Sequence, residues 1–313
     1  MSAKNAELEA DEEMSRCASC GIAENDDIKL RKCTACYLVT YCSVACQKEH
    51  RKKHKKECNR RAAELRDELL FKQPESGYYG DCPICLIPLP LDPEKSGMTP
   101  CCSKLICYGC DYANQTQHNI EGRREMTCPF CRHSRPETKV EAQKILMKRV
   151  EVNDPVALRL IGSQRREEGD FKGSFEYWTR AAELSDVEAH YQLAWSYRDG
   201  EGVEKDKKKE VYHLEEAAIG GFPGARHRLG CIEKKNGRYE RAARHFIIDA
   251  NLGFDDSMET VKNMYKDGLV SKDVFASTLR AHHAVVDATK SPQREAAEAD
   301  VDFSKFLQNC RER

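Results

Sequence analysis

From Asp154 onward, alanine, leucine and tyrosine recur at three- and four-residue intervals, the period of a helix with one buried face. Residues 157–162 (ALRLIG) align with 189–194 (AHYQLA) and 225–230 (ARHRLG), at offsets of 32 and 36 residues. A weaker fourth copy begins at Ser257, 32 residues further on. Each copy is followed by a second helical run carrying alanine: Ala181-Ala182, Ala217-Ala218, then Ala242-Ala243 with Ala250. Self-similarity near 34 residues predicts stacked helical hairpins over 154–290, each burying its apolar face only against its neighbour.

Upstream the pattern is different. Residues 1–16 are polar and predict a disordered tail. In the 59–81 segment, Leu65, Leu69 and Leu70 give 60–72 helical spacing, and 73–80 (QPESGYYG) reads as a turn-rich linker. Within a 132–153 linker, 138–149 is helical, and 291–313 reads as a C-terminal tail. No run reaches the 18 apolar residues of a membrane-spanning helix.

Charge and composition remove several classes. The net charge of -1 gives no field that would draw the chain onto nucleic acid or an anionic membrane. Mean hydropathy is -0.72. The first thirteen residues are acidic with no apolar core, so no secretory signal is expected and the chain reads as intracellular, cytoplasmic and/or nuclear. Of 17 cysteines, all but Cys231 and Cys310 fall between Cys17 and Cys131, mostly as C-x2-C pairs. In a reducing compartment that pattern means metal rather than disulfides.

The first cluster, 17–58, runs Cys17-x2-Cys20, Cys33-x2-Cys36, Cys42-x3-Cys46, His54-x3-Cys58. These eight ligands are enough for two tetrahedral zinc sites, in a module too short to fold on apolar burial alone. With Tyr41-Cys42, Cys46-Gln47 and His54-Lys55 in place, the cluster resembles the MYND zinc finger over its whole length. The resemblance implies interleaved sites: Cys17, Cys20, Cys42 and Cys46 on one zinc, Cys33, Cys36, His54 and Cys58 on the other. It also implies protein interaction, with Gln47 among the partner-binding residues. The family commonly has Trp three residues before the ligand His. Arg51 stands there in this chain, which bears on the peptide groove and not on the ligands. Lys48 to Arg61 holds eight Lys/Arg against two Glu. It reads as the solvated face of the helix bearing His54 and Cys58. A nuclear import signal or nucleic-acid contact, and with it a transcription or chromatin regulator, is the weaker alternative.

The second cluster, 82–131, runs Cys82-x2-Cys85, Cys101-Cys102, Cys107-x2-Cys110, Cys128-x2-Cys131. It resembles a RING finger, which implies one zinc on Cys82, Cys85, Cys107 and Cys110 and another on Cys101, Cys102, Cys128 and Cys131. RING fingers usually have one residue between the third and fourth ligands, where Cys101 and Cys102 are adjacent. An all-cysteine set is the natural reading, with His118 or His133 as the alternative to one member of the pair. Where RING fingers act as ubiquitin ligases they hold a ubiquitin-conjugating enzyme. Ile84, Pro129 and Arg132 occupy the matching partner-binding positions.

In the second repeat, 197–203 (YRDGEGV) before Asp206 resembles the glycine-containing turn of the Sel-one-like repeat, a tetratricopeptide-like helical hairpin whose arrays generally bind proteins. No nucleophile elbow, phosphate loop or metalloprotease motif is present. Gly162, Gly169 and Gly173 make no dinucleotide loop, Cys231 reads as a small buried apolar residue, and Cys310 sits near a frayed terminus. The expectation is a mixed, mainly α chain: two small zinc-stabilised modules followed by an α-solenoid of helical hairpins, holding four structural zinc ions and no catalytic residue of its own. It would serve as a protein-interaction adaptor, with RING-type ubiquitin-ligase activity or a purely scaffolding role as the competing readings.

Overall fold

A computed structural model describes residues 16–122 and 125–312. The disordered tail expected for 1–16 lies, Arg16 apart, outside them, as does the side chain of Cys310. The chain divides into two units, Met1–Leu70 and Phe71–Arg313.

In the first unit, β1 (Arg31–Lys32) pairs antiparallel with β2 (Thr40–Tyr41), and α1 (Val44–Leu70) follows. The helix expected over 60–72 is the last part of α1, which runs unbroken through the basic stretch and stops at Leu70. Its exposed Glu57, Glu64 and Glu68 pair with Arg60 and Arg61 one or two turns away. Those pairs support a helix whose apolar pattern is weak.

In the second unit, β3 (Ser96–Thr99) and β4 (Lys104–Cys107) form a hairpin, and α2 (Tyr108–Ile120) continues from β4. Helix α3 (Lys139–Glu151) is capped by Thr138, whose hydroxyl accepts from the Glu141 N–H. Four hairpins follow: α4 (Pro155–Glu167) with α5 (Phe171–Glu183), α6 (Val187–Asp199) with α7 (Lys207–Ile219), α8 (Ala225–Lys235) with α9 (Tyr239–Asn251), and α10 (Asp255–Lys266) with α11 (Lys272–Ala288). The solenoid and the mainly helical class are as the periodicity predicts.

Chemistry at the helix ends explains the spacing. Asp154, Asp170, Asp186 and Asp206 each accept a hydrogen bond from a first-turn N–H. Such a cap stabilises a helix start by about 1 kcal/mol. The 36-residue offset arises in the second hairpin, where a long turn joins α6 to α7. Gly200 closes α6 at φ 79°, and Gly202 lies against the Phe171 carbonyl, where a Cβ would come within 2.1 Å of the oxygen. The repeat alanines are the interhelical contact points: Ala157, Ala181, Ala189, Ala217, Ala218, Ala225, Ala242 and Ala250 are fully buried.

Two segments depart from expectation. The turn-rich linker is laid against the array. Phe71 packs on the His245 ring of α9 (4.6 Å) beneath the Arg244 guanidinium (3.8 Å). Gln73 bonds Asn251 (3.1 Å), and Tyr78 meets Phe222 edge-on (5.1 Å). The segment read as a C-terminal tail holds two helices, α12 (Pro292–Ala299) and α13 (Val301–Glu312). Ser291 caps α12 through the Arg294 N–H, and Pro292 opens it. Asp300 accepts from the Asp302 and Phe303 N–H groups at the start of α13.

Between α6 and α7, the rings of His190 and His213 face each other, Nδ1 to Nδ1 at 3.0 Å. Burial, with the neighbouring His190, pushes the His213 pKa down to about 4. Below the ordinary value of 6.5, the unfolded chain binds a proton that the folded array refuses until about pH 4, so stability falls as pH drops through that window. The two tryptophans, Trp178 and Trp195, both lie in the array and report on it alone. Burial raises Asp249 of the same array to about 7, which acts in the opposite direction, so the His213 effect is read as a difference: between pH 7 and pH 5 the urea midpoint of their fluorescence is expected to shift downward in the parent relative to His213→Gln. Equal shifts in the two proteins would remove His213 as the cause.

Candidate metal centres

The predicted ligands gather into four groups of four, within each of which every ligand atom lies within 4.8 Å of the others. The groups are Cys17, Cys20, Cys42 and Cys46; Cys33, Cys36, His54 and Cys58; Cys82, Cys85, Cys107 and Cys110; and Cys101, Cys102, Cys128 and Cys131. Sulfur separations are 3.6 Å for Cys20–Cys42 and Cys42–Cys46, 3.7 Å for Cys33–Cys58, 3.8 Å for Cys82–Cys110 and Cys85–Cys107, and 4.0 Å for Cys102–Cys128. Zinc–sulfur bonds of about 2.3 Å in a tetrahedron place sulfurs roughly 3.8 Å apart, so the donor sets fit zinc in size and chemistry. A disulfide would need about 2.05 Å, and these cysteines are free. Cys36 Sγ to His54 Nε2 (3.1 Å) and Cys101 to Cys131 (3.3 Å) are the tighter edges.

Helix α1 serves both centres of the first module, supplying Cys46 to one and His54 with Cys58 to the other. That division makes the sites interleave: Cys17, Cys20 and Cys42 meet the helix near its start, at Cys46, while Cys33 and Cys36, from the turn between β1 and β2, meet it further along, at His54 and Cys58.

A common turn builds four of the cysteine pairs. The residue after the second cysteine lies at positive φ: Gly21 (78°), Tyr37 (57°), Leu86 (58°) and Arg132 (59°). Its N–H donates to the carbonyl of the first cysteine at 2.9 Å in every case. Side-chain-bearing residues ordinarily avoid this conformation. The turn keeps it because it aims backbone N–H groups at the first sulfur. Burial pushes the Cys17 thiol up, but the N–H groups of Cys20, Cys42 and Ser19 outweigh it and bring it down to about 6. Cys33 is held at about 6 by the same balance with Ala35 and Cys36. For Cys82 a hydrogen bond from Cys107 is the largest influence, burial opposes it, and N–H groups of Cys107, Cys85 and Ile84 add to it, giving about 4. Thiolate is the form a metal takes.

The same turn accounts for the adjacent pair. Ser103 also lies at positive φ (52°), and its N–H donates to the Thr99 carbonyl at 2.9 Å. Thr99 thus stands where the first cysteine of a pair would, its hydroxyl 3.1 Å from Cys102 Sγ. Cys101, an interior residue of the turn, supplies the second sulfur. Neither His118 nor His133 joins this group among the described residues. Arg149 of α3 holds the turn from behind, donating to Ser103 Oγ (2.8 Å) and the Cys101 carbonyl (3.3 Å).

Of the partner-binding candidates, Ile84, Pro129 and Arg132 lie in these turns and Gln47 lies on α1. Ile84 is 40% exposed and Arg132 is exposed, while Pro129 and Gln47 are half-buried. The structure adds Leu86 and Phe130, both exposed, with Lys104 Nζ 5.8 Å from the Phe130 ring centroid. Leu86 escaped sequence reasoning because nothing local marks a leucine at positive φ. In the first module Ile22, Tyr37, Leu38 and Val44 are likewise exposed.

Residues 15–58 match the family model of the MYND finger. No curated protein sequence matches the chain. Among solved structures it is similar to a Sel1 repeat protein from Oxalobacter formigenes, at 20% identity and TM-score 0.44 over 56% of this chain. It is also similar to a protective antigen of uropathogenic Escherichia coli displaying an SLR fold, at 18% identity and TM-score 0.39 over 52% of this chain. The matched regions span 50% and 36% of those two chains. Among the described residues no helix is long and apolar enough to cross a membrane.

Proposed function

We propose that the chain is a zinc-folded protein-interaction adaptor whose second module is a RING-type finger that recruits a ubiquitin-conjugating enzyme. The carrying observation is that all four ligand groups are complete with protein donors, leaving no open position for a reacting group. Such metal is structural, so function falls to the surfaces it shapes. Around the cysteine turns of the second module those surfaces are apolar and exposed at Ile84, Leu86 and Phe130, with the exposed Arg132 two residues after Phe130. A ligase of this kind contributes no nucleophile. It raises the rate by holding a charged conjugating enzyme near a substrate lysine.

The test is autoubiquitination by the purified full chain with ubiquitin, activating enzyme and a panel of conjugating enzymes. Activity is expected with some member of the panel, and Ile84→Ala and Arg132→Ala are each expected to lower it about tenfold or more. An interface residue that carries binding costs over 1 kcal/mol on truncation. If no member of the panel gives activity dependent on these residues, the ligase reading fails.

The second reading, a non-catalytic scaffold, is favoured by the exposed Ile22, Tyr37, Leu38 and Val44 of the first module, which suit a partner peptide without involving the second. The Sel-one-like resemblance of the repeats supports either reading, since arrays of that kind generally bind proteins.

A further inference from the structure

Arg294 sits in α12, far in sequence from the second cysteine module, yet it is 7% exposed and turned into that module. Its guanidinium donates to the Pro88 carbonyl (2.6 Å) and the Ile87 carbonyl (3.0 Å), and Nη2 lies 3.6 Å from Cys85 Sγ. The close approach is built in from both sides. Gly109, between Cys107 and Cys110, has no Cβ, and one there would come within 2.9 Å of Arg294 Cγ and 3.0 Å of its backbone. Phe303, 4% exposed, packs edge-on against Tyr112 (5.1 Å) and Tyr108 (6.3 Å), and Lys95 pairs with Glu298 (3.0 Å). Ile84, Leu86 and Phe130 stay exposed, so α12 and α13 cover a different part of the module.

A divalent ion held by four thiolates leaves a site with a net charge of about -2, and a desolvated cation beside one sulfur offsets part of it. Arginine suits the place because its planar fork can bond two carbonyls and still face the sulfur. We infer that Arg294 is a positioning residue for the Cys82/Cys85/Cys107/Cys110 metal centre, so that metal there and docking of α12 and α13 stabilise each other. Groups behind the ligands change metal affinity about 10–100-fold. The coupling is reciprocal by thermodynamic necessity. Loss of the ion therefore releases the C-terminal helices, and the helices in turn protect the ion.

The inference rests on reading this centre as a zinc site, and one experiment separates the two. Full-length zinc-loaded chain is titrated with a competing chelator and followed by native mass spectrometry and hydrogen exchange. In Arg294→Ala one zinc is expected to leave at about 10–100-fold lower chelator, while the others leave as in the parent. Arg294→Lys, which keeps the charge, recovers part of the loss, and Arg294→Gln recovers less. In the parent, peptides covering 292–299 are expected to lose protection as that zinc departs. An unchanged chelator midpoint in Arg294→Ala overturns the inference, as does protection of 292–299 indifferent to zinc. Equal zinc counts in the parent and in a chain carrying both Cys82→Ser and Cys85→Ser would instead overturn the zinc reading of the centre itself.

Discussion

Stripping zinc with a high-affinity chelator is expected to unfold residues 16–58, loosen 82–131 and leave α4–α11 folded. The first module has almost nothing else to hold it. Apart from cysteines, the only buried apolar side chain among its described residues up to Cys58 is Tyr41. Its hairpin has two residues per strand. Structural zinc contributes about 10–16 kcal/mol to small finger peptides, as much as the whole stability of an ordinary domain. The second module has more in reserve. Leu89 and Ile106 are buried beside its cysteines, with Tyr79 and Leu105 packed against them. The array buries Leu158, Ile161, Leu193, Leu214, Phe246 and Val261 without help from any metal. Hydrogen exchange resolves the three responses: protection lost over 33–58, reduced over 82–131 and unchanged over 155–288, with zinc restoring the first two. Protection of 33–58 that survives chelation would show that the module does not depend on its metal. Circular dichroism would miss most of the change, because the array supplies most of the helix.

What could be read from the sequence differs by mechanism. The repeats are legible because each hairpin buries alanine at fixed places, and a small residue at a helix crossing leaves a period that survives in the chain. The ligand groups are legible for a related reason: a turn that aims two sulfurs at one ion needs the x2 spacing, whatever else the sequence does. The Cys101-Cys102 pair breaks that spacing, and only the backbone, with Thr99 in the vacant slot, reveals the same turn. Helix α1 was legible only in its ligand spacings and its leucines, because its long exposed face carries charge where a pattern would otherwise show. The docked segment 71–80 and the contact of Arg294 with Cys85 leave no local trace. They join positions some 140 to 210 residues apart through single aromatic, amide and arginine contacts that leave no periodicity. The α12 start did carry a signal, Ser291 before Pro292, the usual pairing of a cap residue with proline at the first helical position.

Trp178→Ala is expected to destabilise the array by about 3–5 kcal/mol, the range for deleting a large buried aromatic. Trp178 of α5 is 1% exposed, and its Nε1 donates to the Arg159 carbonyl of α4 at 3.2 Å. The ring lies flush on the helix because Gly162 faces it. A Cβ at 162 would come within 2.5 Å of the ring. That contact closes the first hairpin, and its loss reaches further than one pair of helices. Arg159, on the same face of α4, pairs with Asp186 (3.3 Å) and Glu188 (3.1 Å) at the start of α6, so a shifted α4 also pulls on the next repeat. In a stacked array each unit is stabilised by its neighbours, so a weakened first hairpin frays the end of the stack before the middle. Gly162→Ala attacks the same contact from the other side and is expected to cost about 1–3 kcal/mol by overpacking. The two effects should not add, because the methyl group introduced at 162 then faces the space the indole has left. Urea unfolding followed by circular dichroism, run on both single variants and the double, measures this. Strict additivity would mean that the glycine and the tryptophan act independently, and that the first hairpin is not closed by their contact.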